Sequence, residues 1–154
     1  MKAVFTLVPS ESRRLLAKAT VALPEVQVAM EKAYIVLCGG VTNGFIAQEL
    51  LGIEAEPQRC TAGISSNGVL CVTPAEERHI LPMVIYKGEP VEKTMKEAFE
   101  DFHIETVVIK GGNAIDPEGN VGVITSGFDG GTVAATIGTV TSTGLRYIFP
   151  IGLE

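Results

Sequence analysis

The chain contains no tryptophan, only two histidines and only three cysteines in 154 residues. Cys38, Cys60 and Cys71 are odd in number and never stand in C-x-x-C spacing, so neither a disulfide framework nor a zinc ribbon is signalled. Each lies in or beside an apolar stretch, where a thiol behaves as a small buried hydrophobe, and a reducing cytoplasm is the expected location. Positive charge is also scarce. Twelve basic residues face 18 acidic ones, giving a net charge of −6, and the longest basic cluster is Arg13-Arg14. Nucleic-acid binding needs a positive face that displaces counterions from phosphates, so DNA and RNA are excluded as main partners. Long apolar runs are missing as well: residues 33–38 and 80–86 are far too short to cross a bilayer, and no basic-then-apolar leader opens the sequence. No membrane association is expected.

What is present is the material of a core. With 46% hydrophobic residues, residues 1–154 suffice for one α/β domain. The ending at Glu154, directly after a strand-like segment, points to a piece of a longer protein. Residues 3–8 read as a strand closed by Pro9, with Ser10 capping an amphipathic helix that carries Leu15, Leu16 and Ala19 inward. Residues 25–32 read as a second helix. Residues 33–38 (Ala-Tyr-Ile-Val-Leu-Cys) are almost continuously apolar, the pattern of a strand covered on both faces. A helix follows with Phe45, Ile46, Leu50 and Leu51 buried, stopped by Gly52 in the position a left-handed C-cap prefers. Residues 69–72 read as a strand after the Ser66-Asn67-Gly68 turn, and residues 80–86 as another that Pro82 pushes toward an edge. Met95, Ala98, Phe99 and Phe102 mark the clearest helical face, with His103 at its end. Residues 106–109 read as a buried strand, residues 114–125 as a local hairpin about Asp116-Pro117-Glu118-Gly119, and residues 146–151 as a last strand. Val133, Ile137 and Val140 share a helical face, although the threonines at 136, 139 and 141 weaken it. Strands alternating with amphipathic helices predict a three-layer α/β/α domain on a mainly parallel sheet, its core strands at residues 34–38, 107–109 and 147–149.

In such a sheet ligands gather at the carboxyl ends of the strands. Three glycine-rich loops belong there: Gly39-Gly40-Val41-Thr42-Asn43, Lys110-Gly111-Gly112-Asn113, and residues 127–132 with Gly130, Gly131 and Thr132. Glycine lets backbone amides approach a ligand, and a helix N-terminus offers unpaired donors at a positive dipole end, so the first and third loops suit a phosphate or carboxylate. Lys110 adds the one full positive charge. The competing reading makes the glycines turn-formers and lets Thr42 or Asn43 merely cap a helix, since neither G-x-G-x-x-G nor a P-loop pattern is present. Asp116 and Glu118 are the only carboxylates near enough in sequence to serve Lys110 as a general base, and in a proline turn they equally read as solvated. No metal site or cofactor is expected. Two functions stay open: an enzyme of isomerase-type proton transfer on a small phosphorylated or carboxylated metabolite, with Lys110 stabilising an oxyanion, and a non-catalytic domain for anion or nucleotide binding or for oligomer assembly. A homo-oligomer is compatible with either.

The run Gly39-Gly40-Val41-Thr42-Asn43-Gly44-Phe45-Ile46 after one strand, and Ile109-Lys110-Gly111-Gly112-Asn113-Ala114 after another, loosely resembles the superfamily that groups ribose-5-phosphate isomerase, glucosamine-6-phosphate deaminase and coenzyme A transferases. The resemblance implies a phosphate held by the first loop, with Thr42 and Asn43 on its phosphate side, and Lys110 as the cation near the sugar. The isomerase's Asp-Gly-Ala-Asp segment is absent upstream of Lys110, where the chain reads Glu105-Thr106-Val107-Val108. The expectation is therefore a branch whose chemistry differs or is lost.

Overall fold

A computed structural model describes residues 2–101, 103–125 and 127–152. Phe102, expected on a buried helical face, lies outside them. The chain forms α1 (Pro9–Val21), α2 (Pro24–Lys32), β1 (Tyr34–Leu37), α3 (Val41–Leu51), β2 (Gly63–Ser66), β3 (Val69–Val72), β4 (Met83–Tyr86), β5 (Glu89–Val91), α4 (Met95–Glu100), β6 (Val107–Ile109), β7 (Ala114–Ile115), β8 (Val121–Gly122), α5 (Gly131–Thr143) and β9 (Arg146–Ile148). Five strands make one sheet in the order β5-β4-β1-β6-β9, and β2-β3 and β7-β8 are separate two-stranded pairs.

The main sheet is mixed, which corrects the expectation of a mainly parallel one. β6 runs parallel to both β1 and β9, whereas β4 is antiparallel to β1 and β5 to β4. The cause is local. Lys87 and Gly88 both have positive φ, 49° and 84°, the backbone of a tight hairpin turn that joins β4 to β5 without a crossover helix. Only the β1-β6-β9 half has the helix-connected, parallel form.

β1 was legible because it is central. All four of its residues are buried, and their alternation divides the core in two. Ile35 and Leu37 join residues of α1, α2 and α3 together with Ile85, Val107 and Ile109. Tyr34 and Val36 join Val84 and Val108 with Ala98 of α4 and Val140 of α5. Gly52 caps α3 with φ 64°, and its amide donates to the Gln48 carbonyl, the left-handed stop that the sequence anticipates.

Other expectations are corrected. Residues 3–8 form no strand; they are exposed and pair with nothing in the sheet. The first helix begins at Pro9, not after a Ser10 cap, and the Glu11 carboxylate accepts from the Val8 amide at 2.9 Å. The last strand ends at Ile148 rather than including Phe149. α4 closes at Glu100, so His103 stands beyond it, its Nδ1 accepting from the Glu105 amide. The threonines of α5 are accommodated by back-bonding: Thr136 donates to the Thr132 carbonyl at 2.7 Å and Thr143 to that of Thr139 at 2.6 Å.

Candidate functional site

Three strands, β1, β6 and β9, present their carboxyl ends on one side of the sheet, and three chain segments meet there. Cys38 continues β1 and its amide donates to the Ile109 carbonyl at 3.0 Å; Lys110 continues β6 and its amide donates to Ile148 at 3.0 Å. These bonds extend the ladder one residue past each strand and fix where the loops depart. Lys110, electrostatically, and Thr132, in the first turn of α5, both act on the Cys38 thiol and oppose the effect of its burial. Cys38, Lys110 and Thr132 therefore mark the junction of the three loops.

Lys110 is half-buried, and loss of hydration pushes its pKa below the usual lysine value, partly opposed by the Cys38 thiol. Its ammonium donates to the Gly111 carbonyl at 3.3 Å and forms no ion pair among the described residues. Burial likewise drives Cys38 up to about 11, with Lys110 and Thr132 only partly offsetting it. Tyr147 of β9 stands behind this cluster. Its hydroxyl lies 2.8 Å from Thr136 Oγ1, and burial raises its pKa.

The glycine-rich loops divide into parts with open backbone donors and parts that pack. Val41 and Thr42 open α3, so their amides have no intrahelical acceptor, and Thr42 is half-exposed. The Gly40 amide is already spent on the Cys60 carbonyl at 2.7 Å, which ties the loop that begins at Gly39 to the turn at residues 57–60. Asn43 has no exposed surface. Its Nδ2 donates to the Cys38 carbonyl at 2.8 Å and to the Ile109 carbonyl at 3.0 Å, so it clamps the ends of β1 and β6 instead of facing a phosphate. Gly111 is half-buried with open space where a Cβ would stand, whereas a Cβ on Gly112 would come within 2.5 Å of Val121 Cγ1. Asn113 serves the β7-β8 pair, its Oδ1 accepting from the Ile124 amide at 2.9 Å. Gly130 precedes α5, and the Gly131 amide is taken by the Asp129 carboxylate at 3.1 Å, leaving the amides of Thr132 and Val133 as the open donors of that turn.

Asp116 and Glu118 occupy the exposed turn between β7 and β8. Asp116 accepts from the backbone and side-chain nitrogens of Asn120, at 2.7 and 2.8 Å, and these bonds hold its pKa low. It is a turn-former. Among the described residues the ionisable group acting on Lys110 is the Cys38 thiol, not a carboxylate.

Sequence reasoning did not single out Cys38, Tyr147 or Thr136 for this edge. The available signal was position: Cys38 is the last residue of the buried run, immediately before Gly39. Among the described residues no group of three His, Cys, Asp or Glu side chains gathers to hold a metal, and no helix is long and apolar enough to cross a membrane. A broad surface depression of about 690 Å³ lies elsewhere, at the far end of α3, lined by Arg14, Gln48, Glu54, Glu56 and His79 among others.

The burial pattern gives a direct chemical expectation. At pH 8 a thiol with a pKa near 11 is ionised to roughly one part in a thousand, and Cys38 is also shielded from reagent. Cys60 is buried with a raised pKa, while Cys71 is exposed. Native protein treated with iodoacetamide should therefore take up a single adduct, at Cys71, with Cys38 and Cys60 reacting only after unfolding. Peptide mass mapping reads the result. No protein-family model, curated protein or solved structure matches the chain.

Proposed function

We propose that the chain binds a small phosphorylated or carboxylated metabolite at the carboxyl edge of β1 and β6, on a domain that keeps helices on both faces of its sheet. The observation that carries this reading is Lys110, a half-buried ammonium without an ion pair among the described residues, at the junction where Thr132 of α5 meets the end of β1. Desolvating a lysine without a counter-charge costs free energy, and an anion arriving at that position recovers it. The open amides of Val41, Thr42, Thr132 and Val133 add directional donors at two helix N-termini.

Recognition leads over proton transfer in this reading. An isomerase-type reaction needs a base poised beside the bound substrate, and the carboxylates considered for it, Asp116 and Glu118, sit in an exposed turn where Asp116 is held by Asn120. The neighbouring thiol is a poor base at neutral pH because it remains protonated.

Lys110→Ala should weaken binding of a sugar phosphate by about 1–3 kcal/mol, the range for losing a charge-assisted contact, while leaving folding stability unchanged or slightly higher. Wild-type affinity should fall as the pH rises through the lowered pKa of Lys110, because only the ammonium attracts the anion. Calorimetric titration of both proteins checks this, and equal affinities would sink the assignment.

A further inference from the structure

The accessible surface of the chain is 9307 Å². A compact monomer of 16.3 kDa exposes about 7,500 Å² by the size scaling of folded proteins, so about 1,800 Å² is in excess. Two segments hold much apolar surface of this kind. Residues 2–8 form an arm without helix or strand, with Val4 96% and Phe5 72% exposed. The β2-β3 hairpin stands outside the main sheet, and Leu70 and Val72 of β3 are 77% and 64% exposed. A hairpin of two strands alone is marginal in water, and a bare apolar edge invites a further strand.

The arm has the composition of that strand. Its Val-Phe-Thr-Leu-Val sequence, residues 4–8, favours extended pairing, yet it finds no partner within its own sheet. Charge matches as well. Residues 2–18 carry Lys2, Arg13, Arg14 and Lys18 against Glu11 alone, and Lys2, Arg13 and Lys18 form no ion pair among the described residues. The chain flanking the hairpin, residues 53–79, carries Glu54, Glu56, Glu76 and Glu77 against Arg59 and Arg78, a net negative charge, and Glu54, Glu76 and Glu77 form no ion pair among the described residues.

We propose that the occupant of this surface is a second copy of the chain: the arm of each protomer pairs along the free edge of β3 of the other, in a two-fold reciprocal exchange. The area agrees. A stable interface of ordinary size covers about 800 Å² on each partner, well within the excess. The inference is independent of the anion site, since it uses neither the β1-β6 edge nor Lys110.

Light scattering after size exclusion, with the full chain, tests it. Wild type should have twice the 16.3 kDa mass of one chain. Phe5→Asp and Leu70→Asp should each lower the mass to that of one chain with an unchanged far-ultraviolet circular dichroism spectrum. An equimolar mixture of the two variants should recover a population of doubled mass, because one intact arm then meets one intact hairpin across the pair. Phe5 lies outside the packed protomer, so its replacement leaves folding intact and decides the matter even where Leu70→Asp perturbs the hairpin. A monomeric wild type, an assembly that survives Phe5→Asp, or a mixture of folded variants that stays monomeric would overturn the proposal; an assembly that survives Leu70→Asp alone would exclude the hairpin as acceptor.

Discussion

Asn43→Asp should destabilise the protein by about 3–5 kcal/mol at pH 7, the cost of an uncompensated charge in the core, lowering the melting temperature by on the order of 10 °C. The exchange is nearly isosteric, so packing changes little. What changes is polarity: Nδ2 now donates to two carbonyls at 2.8 and 3.0 Å, and a carboxylate oxygen in its place would confront both. Burial then raises the pKa of the introduced carboxyl above its unfolded value. The folded state therefore holds its proton over a pH range where the unfolded chain has lost it, and the penalty grows as pH rises through that range. The variant should lie closest to wild type near pH 4, and thermal melts from pH 4 to 8 measure the trend. A penalty independent of pH would contradict the clamp.

Gly44→Ala and Gly138→Ala should have opposite signs although both replace a glycine inside a helix. Helix propensity alone favours alanine by up to about 1 kcal/mol at either position. A Cβ on Gly44 would lie 2.7 Å from Pro57 Cα and 3.0 Å from Cys60 Sγ, so the backbone of residues 57–60 must yield, and about 1–3 kcal/mol of net destabilisation is expected. A larger side chain, as in Gly44→Val, should cost more. Nothing lies within 4 Å of a Cβ on Gly138, so that replacement should stabilise. Urea unfolding of the pair gives both signs in one experiment.

These sites show what the sequence made legible and what it did not. Burial was readable wherever one residue type dominated locally: the apolar run at residues 33–38 became the central strand, and Gly52 became the αL cap. Direction was not, because an apolar strand reads the same whether its neighbour runs parallel or antiparallel; the positive φ at Lys87, which made β4 and β5 a hairpin, has no strong local signature. Residues 3–8 have strand composition but no neighbouring edge within the protomer, a tertiary fact that propensity does not contain. At the candidate site, Lys110 stands at a strand end as expected. Asn43 matched the pattern of a phosphate ligand and instead joins two strand ends, because at the third helical position its amide reaches the Cys38 and Ile109 carbonyls. Spacing is alike in the two roles, and only burial separates them.

The most direct test of anion recognition at the β1-β6 edge is a titration of ¹⁵N-labelled protein with inorganic phosphate, followed by amide chemical shifts. Shifts should concentrate at Val41, Thr42, Gly111, Thr132 and Val133, saturate, and be lost in Lys110→Ala. Shifts absent from these amides, or gathered instead around Arg14 and His79, would contradict the account.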